Sequence, residues 1–99
     1  MFLGMVTGTV VSTMKNDGIR GTTYLLVAQC SPRGKLKPNP LVALDVVGAG
    51  TGEIVIVAQG SSARQTESTK EKPIDAVIIG IVDLIEEKGT VVYRKEAPV

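Results

Sequence analysis

Few residues in this 99-residue chain are equipped for chemistry. It has no histidine and a single cysteine, Cys30. A nucleophilic serine needs a base beside it, and the commonest base is missing. Lys70 and Lys72 are the remaining basic candidates, but they sit in the polar run 67–72, where solvated lysines are the norm. Zinc requires clustered cysteine or histidine ligands, which the sequence lacks. Asp45, Asp75 and Asp83 are carboxylates of the type that hold magnesium or calcium, yet their spacing matches no loop motif. Asp83 interrupts an apolar run: either it pairs with Arg64, or it marks where the strand emerges into solvent. Cys30, with no histidine to activate it, reads as a buried and inert thiol. One cysteine permits no internal disulfide, in keeping with a reducing cytoplasm. These residues point to no enzyme, no metal site and no cofactor.

The most distinctive spacing lies between Asp45 and Arg64. Gly48, Gly50 and Gly52 alternate through a turn that Glu53 closes. Glycines so placed permit backbone angles that a Cβ forbids, or let another chain approach closely. The turn is not a dinucleotide fingerprint, because it leads into a strand and not a helix. No Gly-Lys-Ser/Thr follows, so it is not a P-loop either. It reads as a turn that positions backbone. Further on, Gly60 breaks the apolar run 54–58, and Ser61 or Ser62 is suited to cap a helix, with Ser62-x-x-Gln65 fitting a capping box. Such a helix start is able to hold an anion, but a simple cap accounts for it.

The elements that must position these residues are mostly strands. Valine (14), isoleucine (8) and threonine (9) make up nearly a third of the chain. A first strand is expected over 5–14, with Gly8 marking a bend or bulge as at a barrel corner. Asn16-Asp17-Gly18 is a turn, and 22–30 is the second strand of a hairpin. Ser31-Pro32-Arg33-Gly34 is a turn, and 35–40 a loop with two prolines. Strands follow over 41–47 and 54–58, then a short helix over 62–66 and a polar loop over 67–72. A long apolar strand is expected over 74–85, a turn at Lys88-Gly89, a last strand over 90–95 and a frayed end over 96–99. Five main strands with bends, one short helix and a terminal hairpin specify an all-β chain: a small, five-stranded, OB-like antiparallel β-barrel with a C-terminal β-hairpin extension, folded as one domain over 1–99.

Composition excludes several partners. The net charge is +1, and the only aromatics are Phe2, Tyr24 and Tyr93. A single-stranded nucleic-acid-binding barrel needs a basic groove and stacking aromatics, so that alternative is the weaker one. The amino-terminal residues lack the basic region and long apolar core of a signal peptide, and no apolar run reaches the length of a membrane span. Several strands are apolar on both faces, yet one short helix is all that is available to cover the outside. A lone barrel would leave a large apolar patch in water. Self-association solves this, and repeated head-to-tail contacts close into a ring.

The quoted motifs, taken in order, resemble the EutN/CcmL family, the pentameric vertex proteins of bacterial microcompartment shells. The opening Val6-Thr7-Gly8-Thr9-Val10-Val11-Ser12-Thr13 and the later Leu25-Leu26-Val27 are similar to the family's first two strands. The turn Asp45-Val46-Val47-Gly48-Ala49-Gly50-Thr51-Gly52-Glu53 and the segment Gly60-Ser61-Ser62-Ala63-Arg64 resemble its two most distinctive motifs. Pro73-Ile74-Asp75-Ala76 and Gly80-Ile81-Val82-Asp83 resemble its last long strand. Ile54 is a departure, since family members often carry a bulky aromatic there. The resemblance implies a homopentamer that plugs shell vertices in the cytoplasm, among hexameric shell tiles, and catalyses nothing. It implies subunit contacts through Gly48, Ala49, Gly50, Gly52, Glu53, Ser61, Ser62 and Arg64, and tile contacts through Ile81, Val82 and Asp83.

Overall fold

The computed structural model describes residues 1–12, 23–60 and 75–96. Strands β1 (Phe2–Val10), β2 (Thr23–Gln29), β3 (Leu41–Asp45), β4 (Ile54–Gln59) and β5 (Ala76–Ile81) close into a barrel in the order β1-β2-β3-β5-β4. Strands β6 (Leu84–Glu87) and β7 (Thr90–Arg94) form a separate two-stranded sheet. The OB-like barrel and the added hairpin are those the sequence leads one to expect. The helix expected over 62–66 and the turn at 16–18 lie outside the described residues.

Alternation along each barrel strand builds two apolar clusters. Val6, Leu25, Val27, Ala43, Val55, Val57, Ala76 and Ile78 fill the interior, with Phe2, Leu41, Ala49 and Ile81 packed against them. Their immediate neighbours Leu44, Ala58 and Val77 form a second cluster with Tyr24, and successive strand residues point to opposite faces. The strands are therefore apolar on both sides, as the unbroken run 54–58 requires. Part of the outer wall stays open: Val42 is 49% and Ile79 37% exposed.

Strand β1 begins earlier than its pattern suggests, at Phe2 and not at Met5. The reason is that one strand serves two neighbours. Residues 2–5 pair with β4, from Phe2 opposite Val57 to Met5 opposite Ile54, while 4–10 pair with β2. Gly4 lies where the two pairings overlap, and a Cβ there would sit 2.5 Å from Val27 Cγ1. The bend expected at Gly8 is present as a register shift between Val6 and Gly8. Thr7 is the extra residue, and its hydroxyl donates to the Leu26 carbonyl at 3.3 Å.

Four of the barrel pairings are antiparallel; the fifth, Leu44 opposite Val77 and Asp45 opposite Ile78, is parallel. This parallel seam closes the sheet on itself. The run 74–85 is not one strand. The Val82 N–H still donates to the Ile54 carbonyl at 2.8 Å, but the chain then leaves the barrel at exposed Asp83 and starts β6. Solvent emergence is therefore the reading of Asp83 that holds; its suggested partner Arg64 lies outside the described residues. The turn at Lys88-Gly89 has positive φ at both residues, 53° and 81°, as a two-residue hairpin turn matched to strand twist demands.

Candidate functional site

The glycine turn is held from within by two carboxylates. Asp45 ends β3 because its side chain captures the backbone ahead of it: Oδ1 accepts from the N–H groups of Val47 (3.0 Å) and Gly48 (3.1 Å), and Oδ2 from Ala49 (3.0 Å). This is why β3 stops at Asp45 although the apolar pattern runs on to Val47. Glu53 Oε1 accepts from the Gly50 N–H. The Glu53 N–H in turn donates to the Gly50 carbonyl at 3.1 Å. The Gly52 N–H donates to Val6 O at 2.8 Å and Glu53 O accepts from Val6 N at 3.0 Å, so the turn is stitched to β1. A phosphate cradle needs free N–H groups. Here those of 47, 48, 49, 50 and 52 are already spent on the chain's own acceptors.

The three glycines have different roles. Gly48 (φ 76°) and Gly52 (φ 90°) occupy the left-handed region, where a side chain is strained. Gly50 does not; a Cβ there would lie 3.3 Å from Glu53 Oε1, the acceptor of its own N–H. Gly50 is small so that Glu53 can close over it.

Glu53 also reaches the far end of the chain. Its Oε2 pairs with Lys95 Nζ at 3.0 Å, and the Lys95 N–H donates to Asp83 O at 2.9 Å. The Tyr93 hydroxyl accepts from the Ile54 N–H at 3.4 Å. Lys95 thus joins the glycine turn to the point where β5 gives way to the hairpin. A shallow cleft of about 400 Å³ opens between residues 51–53 and 93–96. The Gly50 N–H, and after it Lys95, holds the Glu53 carboxyl below its ordinary pKa. Glu53 raises that of Lys95. Elsewhere, burial pushes the Cys30 thiol up, which keeps it protonated and unreactive.

Two of the expected groups of site residues therefore meet. The turn from Gly48 to Glu53 and the segment Ile81, Val82 and Asp83 share one end of the barrel, coupled through Ile54 and Lys95. Ala49 and Ile81 are partly buried against the core, while Gly48, Gly50, Gly52 and Asp83 are exposed. Ser61, Ser62 and Arg64 lie outside the described residues. Sequence reasoning missed the roles of Asp45, Tyr93 and Lys95. An aspartate three residues before a glycine is a recognisable turn signal, so Asp45 was legible. Nothing in the sequence marks Tyr93 or Lys95, whose side-chain partners are some forty residues away. Among the described residues, no three acidic, histidine or cysteine side chains converge as metal ligands.

The architecture is a closed OB-like barrel whose most distinctive turn spends its carboxylates on the chain's own backbone. The family model described as "Ethanolamine utilisation protein EutN/carboxysome" matches residues 1–83, and the chain belongs to this EutN/CcmL family of microcompartment shell vertex proteins. The chain is 50% identical over 86 residues to the shell vertex protein GrpN of Rhodospirillum rubrum, covering 87% of this chain and 97% of that one. It is 40% identical over 95 residues to the vertex protein EutN of Escherichia coli K12, covering 96% and 100%. The structure of CcmL from Gloeobacter violaceus superposes with a TM-score of 0.89 at 40% identity, covering 96% and 98%. The GrpN structure, described as a pentameric microcompartment shell protein, gives 0.78 over 88% of this chain and 99% of that one.

Proposed function

We propose that five copies of this chain form a ring that caps the vertices of a microcompartment shell, among hexameric shell tiles, and that the ring is structural and catalyses nothing. The observation that carries this reading is the pentameric relative at half identity over nearly its whole length. An outer barrel wall that leaves Val42 and Ile79 open gives the physical motive for association. Gly48, Ala49, Gly50, Gly52 and Glu53, with Ser61, Ser62 and Arg64, are the proposed subunit contacts. Ile81, Val82 and Asp83 are the proposed tile contacts.

The alternative of single-strand binding has no support in the described surface. Phe2 packs on the core, Tyr24 joins the second cluster and the Tyr93 hydroxyl is bonded to the Ile54 N–H, so no aromatic is set out as a stacking platform. Native mass spectrometry of the purified chain is the test. A single species at five times 10.4 kDa is expected; a stable monomer at micromolar concentration overturns the reading.

A further inference from the structure

The segment 31–37 lies outside both the glycine turn and the hairpin, and it is built with unusual care for a loop. The Ser31 hydroxyl accepts from the N–H groups of Arg33 (3.3 Å) and Lys35 (3.1 Å). Gly34 turns the chain at φ 85°, with its N–H donated to Ser31 O at 2.9 Å. Residues 35–37 then run antiparallel to the end of β2, with Leu36 opposite Cys30. The two bonds of this bridge are Ser31 N to Lys35 O (2.9 Å) and Lys37 N to Gln29 O (2.8 Å). That pattern makes Cys30 and Leu36 a non-hydrogen-bonded pair, so the Leu36 N–H and C=O face away from β2. Among the described residues neither has a hydrogen-bond partner. Among the described residues this is a short, fixed, open strand edge.

The side chains on this edge are of one sign. Arg33, Lys35 and Lys37 are exposed, no acidic residue lies between Ser31 and Pro40, and none of the three makes an ion pair with a described residue. The contrast with the hairpin is plain: there Glu86, Glu87 and Glu96 are mixed with Lys88, Arg94 and Lys95. Leu36 sits between the two lysines, 45% exposed.

Lysines on an open edge repel another copy of the same edge. The same charges attract a strand that carries carboxylates, and specificity of this kind combines rejection of one partner with attraction of another. We propose that residues 33–37 are a docking edge for an extended, acidic segment of a protein partner. The segment would add as a strand through the Leu36 N–H and C=O, with alternate carboxylates on Lys35 and Lys37 and an apolar residue against Leu36. A protein strand suits the site better than nucleic acid: the edge offers backbone groups and an apolar contact, no aromatic lies in it, and the chain as a whole has a net charge of only +1.

The probe is a fluorescein-labelled peptide of alternating glutamate and valine, titrated by anisotropy against the full-length chain. A peptide of alternating lysine and valine serves as control. Saturable binding of the acidic peptide, weakened by salt and at least about tenfold by K35E/K37E, is expected, since two attractive pairs become repulsive. The doubly reversed variant should instead bind the basic peptide. L36P removes the outward N–H, alters no charge and breaks no hydrogen bond among the described residues, so it should also weaken binding several-fold. Equal binding to wild type and K35E/K37E overturns the proposal. So does binding insensitive to L36P, which would mean non-specific charge attraction, and so does tighter binding of a single-stranded oligonucleotide of equal charge. The oligomer mass of each variant is recorded alongside. A wild-type chain that is not pentameric yet binds the acidic peptide sinks the vertex reading and leaves this one standing.

Discussion

At the scale of single residues, the glycine turn separates backbone demand from side-chain demand. Gly52→Ala places a Cβ at φ 90°, in the left-handed region, and should cost about 1–2 kcal/mol. Gly50→Ala meets only the end of a flexible glutamate and should cost less, since Glu53 can swing away. Chemical denaturation of the two variants, with midpoints in that order, checks the assignment. Glu53 gives a pH prediction whose sign is fixed. Its carboxyl is held below its ordinary value, so its contribution is complete above the usual glutamate range, about pH 4.3, and is lost as pH falls through the lowered folded value. Lys95 is raised, so its share is complete below about pH 10.4 and is lost as pH rises past its folded value. Thermal melts of Glu53→Gln should therefore show a shallower loss of stability on the acid side than wild type. Parallel curves from pH 6 to pH 3 would count against the Glu53 contacts.

At the scale of elements, legibility in the sequence followed the range of the interaction that sets each boundary. Strands 23–29, 54–59 and 90–94 were readable to within a residue at each end because their limits depend on nearby residues, β-branched runs and glycine turns. The third strand was expected to run on to Val47 and stops at Asp45, whose capture of the next backbone is local but went unread. The start of β1 was not readable, because Phe2 and Leu3 join the strand by pairing with β4, more than fifty positions on. The break between β5 and β6 was hidden for the same reason. Val82 is the last residue that Ile54 can hold, and Asp83 is where that tether ends. In the candidate site, the glycines and Glu53 could be found by spacing, while Tyr93 and Lys95 become visible only once the hairpin folds back. The hairpin forms no part of either apolar cluster and is held by few contacts. A two-stranded hairpin by itself is marginal in water. Tyr93→Phe, which removes the acceptor of the Ile54 N–H, should cost about 0.5–1.5 kcal/mol and speed amide exchange in β6 and β7 more than in the barrel.

At the scale of the whole molecule, one barrel carries two apolar clusters and leaves further apolar side chains in the open. Ile78, fully buried in the interior, should lose about 2–5 kcal/mol on replacement by alanine, a large share of what a domain of this size has to spare. Loss of the ring in that variant would then report unfolding. Ring loss with intact circular dichroism is expected from changes at the outer wall, such as Val42→Ser with Ile79→Ser, where exposed apolar residues are exchanged at little cost to the fold. The parallel seam between β3 and β5 has a temporal consequence as well. It joins residue 44 to residue 77, and β1 joins residue 2 to residue 57, so no early part of the chain can complete its own sheet. A growing polypeptide is able to pair β1 with β2 and β2 with β3 early, but it cannot close the barrel until residues 54–57 and 77–78 have been made. Any ring of siblings is therefore built from chains whose barrels have already closed, since the wall that meets a neighbour is not complete before the seam forms.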